Sequence, residues 1–494
     1  MSMIRVEDLT FAYPGSCHNV FEHIDFQFDT DWKLGFLGRN GRGKTTFLRL
    51  LLGEYPYGGR ISGVPECAYF PNQAAEPSRM TMEVLHDACP LAEEWELLRE
   101  TGLLGVEAEA LYRPFDTLSH GERTKALLAA MFCGEARYLL IDEPTNHLDA
   151  LGRRAVAAYL RRKRGFLLVS HDRAFLDGCV DHVLALNRTG VEVQSGGFSS
   201  WWENKSRRDA FEQAKNDRLQ KEVARLRQAA SQTSGWSDKV EATKRGSRNG
   251  GLRPDRGYIG HKSAKMMQRS KSIEERRQRA AEEKAALLKD LERMEALKLR
   301  PLAARGRVLD VRDLSLFYGG KRVCGPLTFR LEPGDRIALD GTNGCGKSTV
   351  LKCLLGEEIA REGMLVKCPG LTVSYVPQDA SCLRGSLWDY IKESGAEEPL
   401  LLAILRKLDF PREQFEKNME DWSAGQRKKA LIARSLCESA HLYIWDEPLN
   451  YIDVWSRMQI EELLLEFQPT MLLVEHDKTF RQRVATEEIT ISCG

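Results

Sequence analysis

Apolar and polar positions follow one another along this chain in an order that occurs twice. Residues 4–13 (IRVEDLTFAY) alternate apolar and polar side chains, the period of a half-buried strand, and stop at the turn pair Pro14-Gly15. Residues 33–38 (KLGFLG) form a short apolar strand that runs into a glycine-rich loop, and a helical pattern begins at Thr45. Two further apolar runs, 138–141 and 167–169, lead to the polar pairs Asp142-Glu143 and His171-Asp172. The opening pattern restarts at Val308 and reaches Tyr318, and the polar pairs return as Asp446-Glu447 and His476-Asp477. Strand, loop and helix succeeding one another in this way predict an α/β fold in each half of the chain.

Each loop carries the spacing G-x-x-x-x-G-K-[ST], as GRNGRGKT at 38–45 and GTNGCGKS at 341–348. A strand before it and a helix after it give that spacing its phosphate-binding meaning. Gly41 and Gly43 let backbone N–H groups close around phosphates, and the helix N-terminus adds a favourable dipole. Lys44 neutralises charge, and the Thr45 hydroxyl reaches Mg²⁺. One occurrence can arise by chance; two in one chain do not. Downstream, Asp142 suits Mg²⁺ and Glu143 suits polarising a water, while His171 is placed to contact a terminal phosphate. A lone histidine there reads as structural, but its return as His476 favours the functional reading.

Between the halves the period changes. Leu219, Val223, Leu226 and Ala230 fall on a heptad-like stripe, and Leu287, Leu291 and Met294 repeat it. Two helices of roughly 25–32 residues would each reach about 40–50 Å and pack as an antiparallel hairpin with its tip at about 231–265. Residues 203–300 hold 26 Lys and Arg against 15 Asp and Glu, in a chain whose net charge is +1. At the tip, basic residues are interleaved with Trp236, Tyr258 and Ile259, a composition that suits a nucleic acid by phosphate neutralisation and stacking. A solvated loop on a coiled coil is the bland alternative. The expected division is therefore 1–202, 203–305 and 306–494.

Composition narrows the context. With 494 residues, two or three domains can each bury a core. The twelve cysteines form no Cys-x-x-Cys pair, which argues against structural zinc and for free thiols in a reducing cytoplasm. The start lacks a signal-peptide layout, and no apolar run is long enough to span a bilayer.

The run Leu118-Ser119-His120-Gly121-Glu122 resembles the signature of the ATP-binding cassette (ABC) superfamily, with His120 departing at its middle position. Ser423, Gly425 and Gln426 give the second copy, with Trp422 in place of the usual leucine. Gln73 and Gln378 match the family's Q-loop, and NHLD at 146–149 matches its D-loop, followed in the second half by NYID at 450–453. The resemblance implies two tandem ABC-type P-loop ATPase domains joined by a long α-helical hairpin, with ATP and Mg²⁺ as cofactors. It implies ATP contacts from Gly38, Asn40, Gly41, Gly43, Lys44, Thr45 and Thr46, and from Gly341, Asn343, Gly344, Gly346, Lys347, Ser348 and Thr349. Gln73, Ser119, Gly121 and Glu122 join these from the first half, and Gln378, Ser423, Gly425 and Gln426 from the second. Thr45, Gln73 and Asp142, with Ser348, Gln378 and Asp446, would hold the metal; Glu143, Glu447, His171 and His476 would be catalytic. Tyr13 reads either as the aromatic that stacks on adenine or as a core tyrosine, and Tyr318 takes the same place in the second half. The sites are expected to be composite, Lys44 facing Ser423 and Lys347 facing Ser119, within a monomer.

Two cassettes, no membrane segment and a basic linker resemble the ABC-F proteins, which act on ribosomes. The segment GYIGHK at 257–262 and the run IWDEPLNY at 444–451 most resemble the antibiotic-resistance branch for lincosamides, streptogramins A and pleuromutilins. The implied partners are the 70S ribosome with its 23S rRNA, P-site tRNA and exit (E) site, reached by Tyr258, Ile259, His261 and Lys262. A housekeeping translation factor of the same family is the alternative. A fused transporter ATPase would not need the basic linker, and a DNA-repair cassette would more often carry zinc cysteines.

Overall fold

A computed structural model of the chain describes residues 2–15, 18–72, 76–134, 137–146, 148–187, 190–243, 272–273, 276, 279, 295–304 and 306–492. The chain divides into two compact units, Met1–Trp201 with Met294–Gly494, and Trp202–Arg293.

The first unit holds two cassettes of one design. In the first, strands β1 (Met3–Phe11), β2 (Phe21–Asp29), β3 (Lys33–Gly38), β4 (Gly58–Ser62), β5 (Cys67–Phe70), β6 (Tyr138–Asp142), β7 (Phe166–Val169), β8 (His182–Asn187) and β9 (Gly190–Ser195) form two sheets. The larger runs β5-β6-β7-β3-β8-β9, parallel except for the last pair; the smaller is antiparallel, β2-β1-β4. Helices α1 (Lys44–Leu51), α2 (Thr81–Ala88), α3 (Glu94–Leu103), α4 (His120–Ala130), α5 (Ala150–Arg161) and α6 (Arg173–Cys179) complete it, and α7 (Phe198–Thr243) follows.

Parallel strands must be buried on both faces, which is why 139–141 and 167–169 read as continuous apolar runs. Leu34, Phe36, Phe47, Leu140 and Leu167 meet in one core with the antiparallel sheet's Ile4, Leu9 and Phe28. Each such side chain contributes about 1.5–3 kcal/mol of burial. Because β3 sits inside the sheet beside β7, with β6 next, the strand ends bring the glycine loop, Asp142 and His171 to one edge. Ligands of open parallel sheets bind at that carboxyl edge.

The second cassette repeats the plan with β10 (Leu309–Tyr318), β11 (Lys321–Leu331), β12 (Arg336–Asp340), β13 (Ala360–Lys367), β14 (Val373–Val376), β15 (Leu442–Asp446), β16 (Met471–Val474) and β17 (Glu487–Thr490). Its sheets run β14-β15-β16-β12-β17 and β11-β10-β13. Its helices are α8 (Lys347–Leu355), α9 (Leu387–Ser394), α10 (Glu398–Lys407), α11 (Ala424–Cys437), α12 (Val454–Phe467) and α13 (Lys478–Val484). Leu297 and Leu299, which the sequence places in the linker, are buried in this cassette's core.

The second unit contains most of α7. This helix passes the expected stop near Ser231 and continues to Thr243. Residues 231–243 hold one glycine and no proline, and a single interior glycine costs only about 1 kcal/mol. Leu219 is half-buried and Val223 buried, while pairs such as Lys205–Asp209 support the exposed face. The expected second stripe at Leu287, Leu291 and Met294 and the tip residues Tyr258, Ile259, His261 and Lys262 lie outside the described residues.

Candidate functional site

Each phosphate loop is held by its own lysine. Lys44 Nζ donates to the carbonyls of Gly38 (2.6 Å) and Arg39 (3.1 Å), and Lys347 Nζ to those of Gly341 (2.7 Å) and Thr342 (2.9 Å). Burial lowers the Lys44 pKa, and the field of Asp453, Glu143 and Asp142 works against that loss. Gly43 must be glycine: φ is 92°, and a Cβ would stand 2.5 Å from Val20 Cγ1 and 2.8 Å from the Phe21 ring. Asn343, Gly344, Gly346, Ser348 and Thr349 line the second site beside Lys347.

The strand-end carboxylates follow. Thr45 Oγ1 donates to Asp142 Oδ2 at 2.7 Å, and Ser348 bonds Asp446 likewise. A hydroxyl and a carboxylate brought together at a phosphate loop suit Mg²⁺, which takes one or two protein oxygens and fills its shell with phosphate and water. Asp446 Oδ1 is buried with no hydrogen-bond partner among the described residues, as a metal ligand would be. Those residues contain no group of three or more His, Cys, Asp or Glu side chains arranged to hold a metal ion by themselves. Burial raises the pKa of both groups, that of Asp446 to about 6.

Glu143 and Glu447 both adopt left-handed backbone, φ 50° and 45°, a conformation that is strained for a residue with a Cβ. Each is fixed there by its own N–H, which donates to the next strand's last carbonyl, Val169 or Val474, at 2.9 Å. The turn aims each side chain at a histidine: Glu143 Oε1 lies 3.4 Å from His171 Nε2, and Glu447 Oε1 lies 3.3 Å from His476 Nε2. The two carboxyls titrate differently. Burial, and then the Asp142 charge, push Glu143 up to about 8. Burial works in the same direction on Glu447, but hydrogen bonds from His476, Gln378 and Asn450 outweigh it and bring the group down to about 2. His171 is held well below its ordinary value by burial and then by Lys44.

The signature residues cap helices. Ser119 caps α4, accepting from the Glu122 N–H at 3.3 Å, and Glu122 accepts from the Ser119 N–H at 2.8 Å. Ser423 and Gln426 repeat this capping box on α11. In space the halves exchange partners. A cavity of about 450 Å³ is lined by Ser119, His120, Gly121, Leu148 and Arg153 of the first cassette and by Lys347, Ser348, Gln378, Glu447 and His476 of the second. At the other site, Asn40 Nδ2 donates to the Tyr451 carbonyl, and a Cβ on Gly425 would lie 2.7 Å from that amide. Of the pairings the family resemblance implies, Lys347 and Ser119 line one cavity, and at the other site the loop that carries Lys44 meets the second signature through Asn40 and Gly425.

Tyr13 donates to or accepts from Thr46 Oγ1 at 2.8 Å and packs edge-on against Phe11 and Tyr55, leaving it partly exposed beside the loop. Tyr318 is also exposed, at the end of β10. Gln73 lies outside the described residues. Sequence reasoning passed over Arg153 and Arg457, each four residues after its D-loop aspartate (Asp149, Asp453) and each buried beside the sites. Their recurrence at one offset was the available signal. It also passed over Lys428, buried, with Nζ donating to the carbonyls of Pro377, Gln378 and Asp446.

The profile of the ABC transporter family matches residues 21–146 and 324–450. The chain is 27% identical to the ribosome protection protein VmlR of Bacillus subtilis, over 97% of this chain and 85% of that one. It is 25% identical to the energy-dependent translational throttle protein EttA of Haemophilus influenzae (95% and 88%). Among solved structures, it resembles the archaeal ribosome recycling factor aABCE1 in complex with the stalk protein aP1, at a TM-score of 0.62 and 20% identity, covering 99% of this chain and 88% of that one. The chain belongs to the ABC transporter family, with two cassettes in one chain. It is an ATP-hydrolysing enzyme, and domains of this family bind ATP with Mg²⁺. Among the described residues no helix is long and apolar enough to cross a membrane.

Proposed function

We propose that this protein, in its ATP-closed form, enters the ribosomal E site and protects the peptidyl-transferase centre from lincosamides, streptogramins A and pleuromutilins. The linker tip, with Tyr258, Ile259, His261 and Lys262, would reach the centre past the P-site tRNA and displace the drug. Two ATP molecules close the cassettes: Lys44 and Lys347 neutralise phosphate charge, and Thr45 with Asp142, and Ser348 with Asp446, hold Mg²⁺ together with Gln73 and Gln378. Glu143 and Glu447 polarise the attacking water beside His171 and His476, and hydrolysis lets the cassettes part. Tyr13 and Tyr318 carry the adenine rings. The protein acts as a monomer in the cytoplasm, without membrane subunits.

The observation that carries the clamp is the exchange of phosphate loops and signatures between cassettes. The ribosome as partner is supported by the likeness to VmlR along nearly the whole chain, linker included, and by the linker's excess of 11 positive charges. Similarity to EttA supports a second reading, a translation factor that needs no drug. Toeprinting of lincosamide-stalled ribosomes separates the two. Wild-type protein is expected to relieve the stall, and a Tyr258→Ala/Ile259→Ala variant to relieve it less while hydrolysing ATP normally. No relief with any of the three drug classes would favour the drug-independent factor.

A further inference from the structure

The two ATP sites are joined by a pair of buried arginine–aspartate bridges. Arg153 extends from the first turn of α5, where its Nε donates to the Leu148 carbonyl at 3.0 Å, into the cavity that holds Lys347, Glu447 and His476 of the other cassette. Its Nη1 is 2.9 Å from Asp172 Oδ2, and neither side chain is more than 9% exposed. Asp172 is the residue after His171, so the arginine standing in one site is tied to the catalytic histidine segment of the other. The second cassette mirrors this. Arg457 Nε donates to the Ile452 carbonyl at 2.8 Å, and its Nη1 lies 3.4 Å from Asp477 Oδ2, next to His476. The Arg457 charge reaches the first cassette's site, where it acts on Glu143 and on His171. Both aspartates also cap helices, accepting from Phe175 N and Phe480 N at 3.0 Å, so they are held at both ends.

We infer that Arg153 and Arg457 are positioning residues that couple hydrolysis at the two sites, each sensing the nucleotide in the opposite cassette and setting the catalytic histidine of its own through Asp172 or Asp477. A buried ion pair cannot lose one partner without leaving a charge unpaired, so a shift of the arginine toward a γ-phosphate must move the aspartate or release it. The inference rests on the composite-site reading above.

The test is single-turnover hydrolysis by the full chain loaded with two ATP, comparing wild type, Arg153→Met, Asp172→Asn and the double variant. Asparagine keeps the helix cap and the shape of Asp172, and melting curves with bound-ATP counts report on folding. Coupling predicts that either variant slows both ATP molecules by about tenfold or more, that the double variant is no slower than the singles, and that Arg153→Lys restores part of the rate. An effect confined to one ATP per chain overturns the inference, because it makes each residue local to one site; so does additivity of the two substitutions. Failure of wild type to bind two ATP would instead overturn the composite-site reading, and the two failures are thereby distinct.

Discussion

Asn40 and Tyr451 lie 411 residues apart in sequence and 2.7 Å apart in space, the Asn40 side-chain amide donating to the Tyr451 carbonyl. Tyr451 is itself left-handed at φ 63°, and both groups occupy the space that a Cβ on Gly425 would need. A phosphate loop, a D-loop and a signature from two cassettes thus meet at one point. Gly425→Ala would put its Cβ 2.5 Å from the Tyr451 carbonyl, a backbone atom that cannot swing aside. The variant is expected to lose ATPase activity by about tenfold or more, each factor of ten being roughly 1.4 kcal/mol of barrier. Unchanged turnover would show that the cassettes close without this contact.

Glu461 of α12 is fully buried between Arg173 of the first cassette, at 2.7 Å, and Arg483 of the second. Glu461→Ala leaves a buried guanidinium without its partner, at a cost on the order of 3–5 kcal/mol. Denaturant unfolding followed by intrinsic tryptophan fluorescence is expected to show that loss. A change below about 1 kcal/mol would mean that water already reaches the pair.

Glu143 makes stability depend on pH. Its folded pKa of about 8 lies above the ordinary carboxyl value of 4.5, so between those limits the folded protein holds a proton that the unfolded chain has released. Stability therefore falls as pH rises through that window. In nucleotide-free protein, Glu143→Gln is expected to flatten the melting temperature between pH 6 and 8 relative to wild type. Parallel curves would place the carboxyl in better contact with water.

Local motifs made much of this legible. The two phosphate loops, Asp142, Glu143 and their repeats are fixed by short spacings, because strand, loop and helix are contiguous. The pairing of Lys347 with Ser119 was reached through family resemblance, and no spacing within either cassette encodes it. Arg153, Arg457, Glu461 and Lys428 escaped notice because each acts on a group from a distant segment, where charge alone reads as a solvated face. The left-handed turns at Glu143 and Glu447 were equally hidden, since nothing in an Asp-Glu-Pro run signals positive φ. The passage of α7 beyond Ser231 was missed because the Ser/Gly content of 231–243 resembles a loop, while the chain there has no proline to end a helix.

The central claim is an ATP-closed clamp that acts on the ribosome, and co-sedimentation of the Glu143→Gln/Glu447→Gln protein with 70S ribosomes tests it most directly. The variant keeps both nucleotide cradles and removes the two carboxylates proposed to polarise water. With ATP it is expected to pellet with ribosomes at about one per particle, and with ADP to stay in the supernatant. Equal partition with ATP and ADP, or no ribosome binding in either, would contradict the account.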